Sequence, residues 1–269
     1  LIFENILKIF SEFYGGQLLI LKRGKKEIIL TEAGRILYEK AKYICSLEST
    51  TKNEIAGVNG GIVGVLRLSV AYSRSPLFIS RSIKHFNQLC PKISYEIYEG
   101  IASIQTEQLL SGMTEIGITT TALSRPEYFD ILFSRPEQMV AVFNENSQYL
   151  TGKEFLTLKE LKDIPISLSA GGAELFQRVS VISNFAPSIM SINTTKSTAL
   201  QWARENMAVA IVTAEAGECF GKDLVVKKIN DGRFKLQKNI VKVKDRPLSK
   251  IAQKFLDFYG EQRKSEMIK

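Results

Sequence analysis

The chain has 269 residues, 45% hydrophobic and 24% charged, which excludes a long disordered chain and gives room for about two domains. Its net charge is +8, no apolar run nears the roughly 18 residues of a membrane helix, and no basic-then-apolar leader opens it. Three scattered cysteines and a lone histidine, His85, exclude a disulfide scaffold and a histidine-built metal site, and fit a reducing compartment.

Leu1 is not a starting Met and is expected to begin a fragment. The spacing of Ile2, Phe3, Ile6, Leu7, Ile9, Phe10 and Phe13 predicts a helix that Gly15 and Gly16 stop. Apolar runs at Leu18–Leu21 and Ile28–Leu30 flank a basic turn holding Lys22, Arg23, Lys25 and Lys26, which predicts a β-hairpin wing. Thr31 is placed to cap a long helix from about Glu32 to Ala56. Within it Leu37, Ala41, Ile44, Glu48, Thr51, Ile55 and Val58 recur at alternating four- and three-residue steps, the seam of a coiled coil. The seam is expected to join two chains; the alternative is a helix packed on its own domain. Gly57, Gly60, Gly61 and Gly64 mark a linker.

Beyond the linker the pattern alternates between strand and helix. Strands are predicted at Val65–Val70, Ser94–Tyr98 and Glu115–Ile118, with helices at Pro76–Leu89 and Ile104–Leu110. The alternation restarts with strands at Ile164–Leu168, Ile189–Ile192 and Val209–Val212 and helices at Ala173–Ile182 and Lys196–Glu205. Such tandem units imply parallel sheets with crossover helices, hence an α/β fold of two lobes and a cleft. Residues 222–269 hold fourteen basic and six acidic groups, so the excess charge is concentrated there, most simply on a solvated surface. The wing lysines suit phosphate, whose neutralisation releases counterions.

These residues resemble the LysR-type transcriptional regulators. Ile20, Leu21, Lys22 and Arg23, then six residues, then Leu30, Thr31, Glu32, Ala33 and Gly34 are similar to that family's wing and the start of its linker helix. Thr157 to Pro165 resembles the entrance to its second lobe, and Arg246 to Ser249 with Ala252, Phe255, Leu256 and Phe258 its final helix. Three positions depart from the pattern. Gly16 sits one residue off, Asn206 to Val209 replaces Gly-x-Gly-Ile, and Thr213 stands where Pro is common. Asn206 can still take the left-handed conformation that ends a helix.

The resemblance implies a partial winged helix-turn-helix over residues 1–31, the end of its recognition helix and the wing. A linker and dimerisation helix with its hinge covers 32–61. Lobe I of a periplasmic-binding-protein-like effector domain covers 62–143 plus 245–269, and lobe II covers 144–244. It further implies a cytoplasmic DNA-binding regulator rather than an enzyme, with no cofactor or metal and no membrane association. Its partners would be double-stranded DNA, a small polar or anionic co-inducer, and further copies in a homodimer or homotetramer. Arg23, Lys25 and Lys26 would meet DNA; Leu37, Ala41, Ile44, Thr51 and Ile55 would form the dimer seam.

The strand ends nominate the effector contacts, since ligands of open α/β sheets bind beyond the carboxyl ends of strands. After the first strand come Ser73, Arg74 and Ser75, with Pro76 suited to the first helical position and Ser75 to the cap. Ser75 opens a helix whose free N–H groups suit an anion, or it is a plain cap. Arg74 is expected chiefly in solvent, with a ligand carboxylate as the alternative. Thr119 and Thr120 end the third strand, Ser169 and Gly171 follow the strand near Pro165, and Thr194 precedes the helix containing Trp202. The expected cleft is thus rich in hydroxyls and poor in charge.

Two motif matches fail. Ser49 to Lys52 fits SxxK without its companion motifs, and Gly60 to Gly64 precedes its strand rather than following one. A stand-alone solute-binding protein would share the lobes but leaves the wing and seam helix unexplained. A metabolic α/β enzyme would need a nucleophile, metal set or cofactor loop.

Overall fold

The structure is a computed structural model and describes residues 21–23, 28–57, 63–72, 74–120, 122–150, 152–234 and 236–267. The predicted first helix, Lys25, Lys26 and Ser73 lie outside these residues. Strands β1 (Leu21–Arg23) and β2 (Ile28–Leu30) pair antiparallel, with Arg23 opposite Ile28. Lys22 and Arg23, predicted in the turn, therefore lie in the strand. Helix α1 (Glu32–Gly57) follows at once. Thr31 caps it, its Oγ1 accepting from Gly34 N at 3.1 Å, which satisfies one of the free donors of the first turn.

The first α/β unit comprises β3 (Gly64–Ala71), α2, β4 (Ile93–Gly100), α3 (Ala102–Leu110) and β5 (Ile116–Thr119). Helix α2 is Ser75–Phe78 and Lys84–Leu89 joined by a π turn at Ile79–Ile83. β3 pairs parallel with both β4 and β5. The second unit comprises β8 (Pro165–Ser169), α4 (Ala170–Ile182), β9 (Ser188–Asn193), α5 (Lys196–Arg204) and β10 (Val209–Ala214). Here β8 pairs parallel with β9 and β10. Asn206, with φ of 54°, ends α5 in the left-handed conformation that the sequence allowed.

Two long strands that the sequence did not announce join the units. β6 (Phe129–Asn144) pairs antiparallel with β12 (Leu236–Val243) through its first half and with β10 and β11 (Leu224–Ile229) through its second. β12 also pairs antiparallel with β5, giving the order β4-β3-β5-β12-β6-β10-β8-β9. β7 (Phe155–Leu156) pairs β11. Pro136 sits where β6 leaves β12 for β10, so its missing N–H costs no ladder bond on the far side.

Apolar burial follows the two units. Leu66, Leu68, Val70, Phe86 and Ile118 form one core, to which Phe255 and Tyr259 of α6 (Lys250–Met267) return from the chain's end. Phe86 and Phe255 meet edge-to-face at 5.2 Å. Met139, Ala141 and Phe143 of β6 belong to the other core, with Ile166, Phe176 and Ile211. The connecting strands thus change cores partway along.

Candidate effector cleft

Each parallel unit aims its strand carboxyl ends, and the helix starts behind them, at the space beside the connecting strands. A cleft of about 1020 Å³ opens there. Arg74 after β3, Thr119 and Thr120 at the end of β5, Ser169 ending β8, Gly171 and Thr194 all line it. These six nominated residues, spread over 120 positions of chain, are brought together. Ser73 lies outside the described residues; Ser75 opens α2, and its side chain is likewise not described.

Helix starts supply much of the wall. Ile101, Ala102 and Ser103 bring in the start of α3, and Ala170 with Gly171 that of α4. Neither helix has a side-chain cap: Ile101 has no side-chain donor or acceptor, and the Ser169 hydroxyl does not bond its own helix. The first N–H groups and the favourable end of the helix field therefore face a common space, a setting for an anion.

The expectation of a charge-poor cleft is overturned. Arg74, expected in solvent, is only 3% exposed. Its Nη2 donates to Glu137 Oε2 and, at 2.5 Å, to Thr213 Oγ1, and its Nε donates to Thr120 Oγ1 at 3.2 Å. Those partners come from β6, β10 and the end of β5, which is why the guanidinium is held inside. Lys196, at the first position of α5, also lines the cleft and is buried, 2.7 Å from Glu218 Oε1. Glu215 beneath holds Lys238 at 2.5 Å and Arg81 at 3.1 Å.

The electrostatics follow from burial. Desolvation raises the Glu137 carboxyl above its ordinary range, outweighing the pull of Arg74. Burial and the nearby Arg74 lower Lys196 to about 8, against the opposing pull of Glu218. Burial also works to raise Glu215, but Lys238 and Arg81 hold it below the usual carboxylate range. Within the described chain Arg74 Nη1, Glu137 Oε1 and Asn239 Oδ1 are buried without a hydrogen-bond partner. Of these, Arg74 and Asn239 line the cleft. A buried polar group without a partner is costly, so a ligand that satisfies it gains accordingly.

Sequence reasoning missed Lys196, Thr213, Glu137 and Asn239. A signal existed for Lys196: a cation in the first turn of a helix opposes the helix field and needs a partner. Glu137 sits in a strand whose charges and Pro136 hid it.

The other nominated residues do not converge on this cleft. Arg23 lies in β1. In the seam, Leu37 and Ala41 are buried within the chain itself, whereas Ile44 is 43% and Ile55 68% exposed. Thr51 is exposed, its hydroxyl bonded to Leu47 O at 2.8 Å.

A family model described as the LysR substrate binding domain matches residues 59–264. The chain belongs to that LysR family. The LysR match spans both parallel units, the connecting strands and most of α6. A curated relative, the HTH-type transcriptional regulator SsuR of Burkholderia cenocepacia, is 24% identical over 149 residues, 55% of this chain. The chain spans about half of that relative, 48% of its length. Among solved structures, full-length CbnR complexed with its target DNA superposes with a TM-score of 0.64 at 18% identity, covering 95% of this chain and 87% of that one. The effector-binding domain of QuiR in complex with shikimate gives 0.62 at 15% identity, covering 74% and 98%. At these identities the structures establish a shared LysR fold. Among the described residues no helix is long and apolar enough to cross a membrane.

Proposed function

We propose that this chain is the linker and effector-binding body of a DNA-binding LysR-type transcriptional regulator, and that its interlobe cleft binds a small anionic co-inducer. The observation that carries the reading is the burial of Arg74 at the cleft with Nη1 unpartnered, beside Lys196 and the uncapped starts of α3 and α4. A carboxylate or oxoanion matches those donors, which charge-assisted hydrogen bonds reward. The solved relatives bearing shikimate and target DNA support the effector and DNA roles. The relatives' names favour regulation over transport or catalysis.

In this reading Thr119, Thr120, Ser169, Gly171 and Thr194 contact the effector with Arg74, and Ser73 and Ser75 are retained as contacts from their place in the sequence alone. The wing, with Arg23, Lys25 and Lys26, meets DNA phosphate, and the α1 seam pairs two copies in the cytoplasm. We draw the lobe boundaries within the connecting strands, near Pro136 and Lys238, a reading supported by Met139, Ala141 and Phe143 packing in the second core and Ile240 in the first.

The test is thermal unfolding of the chain against small carboxylates, sulfate and phosphate. A ligand at 100 times its Kd stabilises by about 2.7 kcal/mol. At least one anion is expected to raise the midpoint, and Thr119→Val to weaken it by about tenfold, the worth of one lost hydrogen bond to a charged ligand. No rise with any anion, or an equal rise in Thr119→Val and Arg74→Met, contradicts the assignment.

A further inference from the structure

We propose that α3 is a mechanical link that carries changes at the cleft to α1, with Arg246 gripping its far end and Tyr43 of α1 reading it. The proposal takes from the preceding reading only that the cleft is where the chain responds.

The two ends of α3 meet different parts of the molecule. Its nine residues span about 13 Å at 1.5 Å per residue. At one end Gly100, Ile101, Ala102, Ser103 and Gln105 line the cleft. The turn there is tight: a Cβ on Gly100 would lie 2.7 Å from Ile104 Cγ2. The buried Gln105 amide donates to Ile118 O at 3.2 Å, and Ser69 Oγ donates to Gln108 Oε1 at 2.6 Å, so the helix is pinned to β5 and β3.

At the other end Arg246 Nη1 donates to Leu109 O at 2.6 Å and Nη2 to Leu110 O at 2.8 Å. These carbonyls lie in the last turn, Leu109 O also accepting from Gly112 N at 3.1 Å, at the end where the helix field attracts a cation. The same guanidinium carbon lies 4.3 Å from the centre of the Tyr43 ring, within cation–π range. Gly112, just past α3 with φ of 75°, completes the socket: a Cβ there would sit 2.3 Å from Tyr43 Cδ2. One aromatic ring on α1 is thus seated on two groups fixed to the end of α3.

The seat is compatible with pairing of α1. Tyr43 is six residues beyond Leu37, which places it roughly 120° around the helix from the Leu37–Ile44 seam. Docking through Tyr43 leaves the exposed Ile44 and Ile55 free for a second copy. A tilt of α3 caused at the cleft would therefore reach the helix that sets the position of the wing.

Hydrogen exchange on the whole chain, without ligand, tests the link. Gln105→Ala removes the anchor at the cleft end, and Gly100→Ala forces the first turn off Ile104; using both guards against one failing to fold. Each is expected to speed exchange of residues 40–47 in α1 by about threefold or more, as local opening becomes easier. The response is expected to persist in a Tyr43→Phe background, which keeps the ring, and to vanish with Tyr43→Leu. Unchanged exchange in α1 for both cleft-end variants, or the same response with Tyr43→Leu, overturns the proposal. Because no anion enters this test, the link can fail with the cleft reading intact, and the reverse.

Discussion

Lys196 opens α5 against the helix field and inside the protein, so its ammonium is held near a pKa of about 8 by burial and by Arg74. The folded state therefore gives up this proton more readily than the unfolded chain, whose lysine titrates near 10.5. Between about 8 and 10.5 the unfolded state binds more protons, and stability gains from Lys196 as pH rises through that window. An anion in the cleft favours the charged form. Its affinity is expected to be flat below pH 8 and to fall above it, by up to about tenfold per pH unit for one linked proton. In Lys196→Met both effects should disappear, as calorimetric titrations and melts from pH 7 to pH 10 would read. An unchanged pH profile in that variant would remove Lys196 from the site. Glu137 works in the opposite sense. Burial raises its folded pKa, so its contribution is fullest below 4.5 and is lost as pH climbs through the raised value.

At the scale of elements, α1 packs part of its surface on its own chain and exposes part of the proposed seam. Leu37 and Ala41 are covered within the chain, whereas Ile44, Thr51 and Ile55 of the nominated seam residues are exposed. Ile44→Asp is expected to turn dimers into monomers in sedimentation, because pairing would bury an unpartnered carboxylate. A dimer that survives the substitution would place the interface elsewhere. The bounds of α1 were legible because local chemistry sets them: Thr31 caps the start and glycine ends it. The parallel strands were legible as short apolar runs before helix starts. β6 and β12 were not. Asp130, Arg135, Pro136 and Glu137 interrupt the first, and Lys238 and Asn239 the second. Their polar residues are satisfied, or left waiting, by groups from the other units, and no local period encodes that.

At the scale of the molecule, the cleft was legible as a place and illegible as a charge distribution. Strand carboxyl ends converge by topology, so Thr119, Ser169 and Thr194 could be nominated one strand at a time. The burial of Arg74 depends on Glu137 and Thr213, the latter 139 residues away, and only the folded connection between lobes brings them together. In the proposed reading, that arrangement suits the cleft to an anion rather than to a merely polar ligand. Its most direct test is a crystal structure of the chain with the anion that most raises the unfolding midpoint. The account predicts the anion's oxygens within hydrogen-bond distance of Arg74 Nη1 and of the hydroxyls of Thr119 or Ser169, with Lys196 facing the same charge. An anion seated outside the cleft, or one in it that leaves Arg74 Nη1 without a partner, would contradict it.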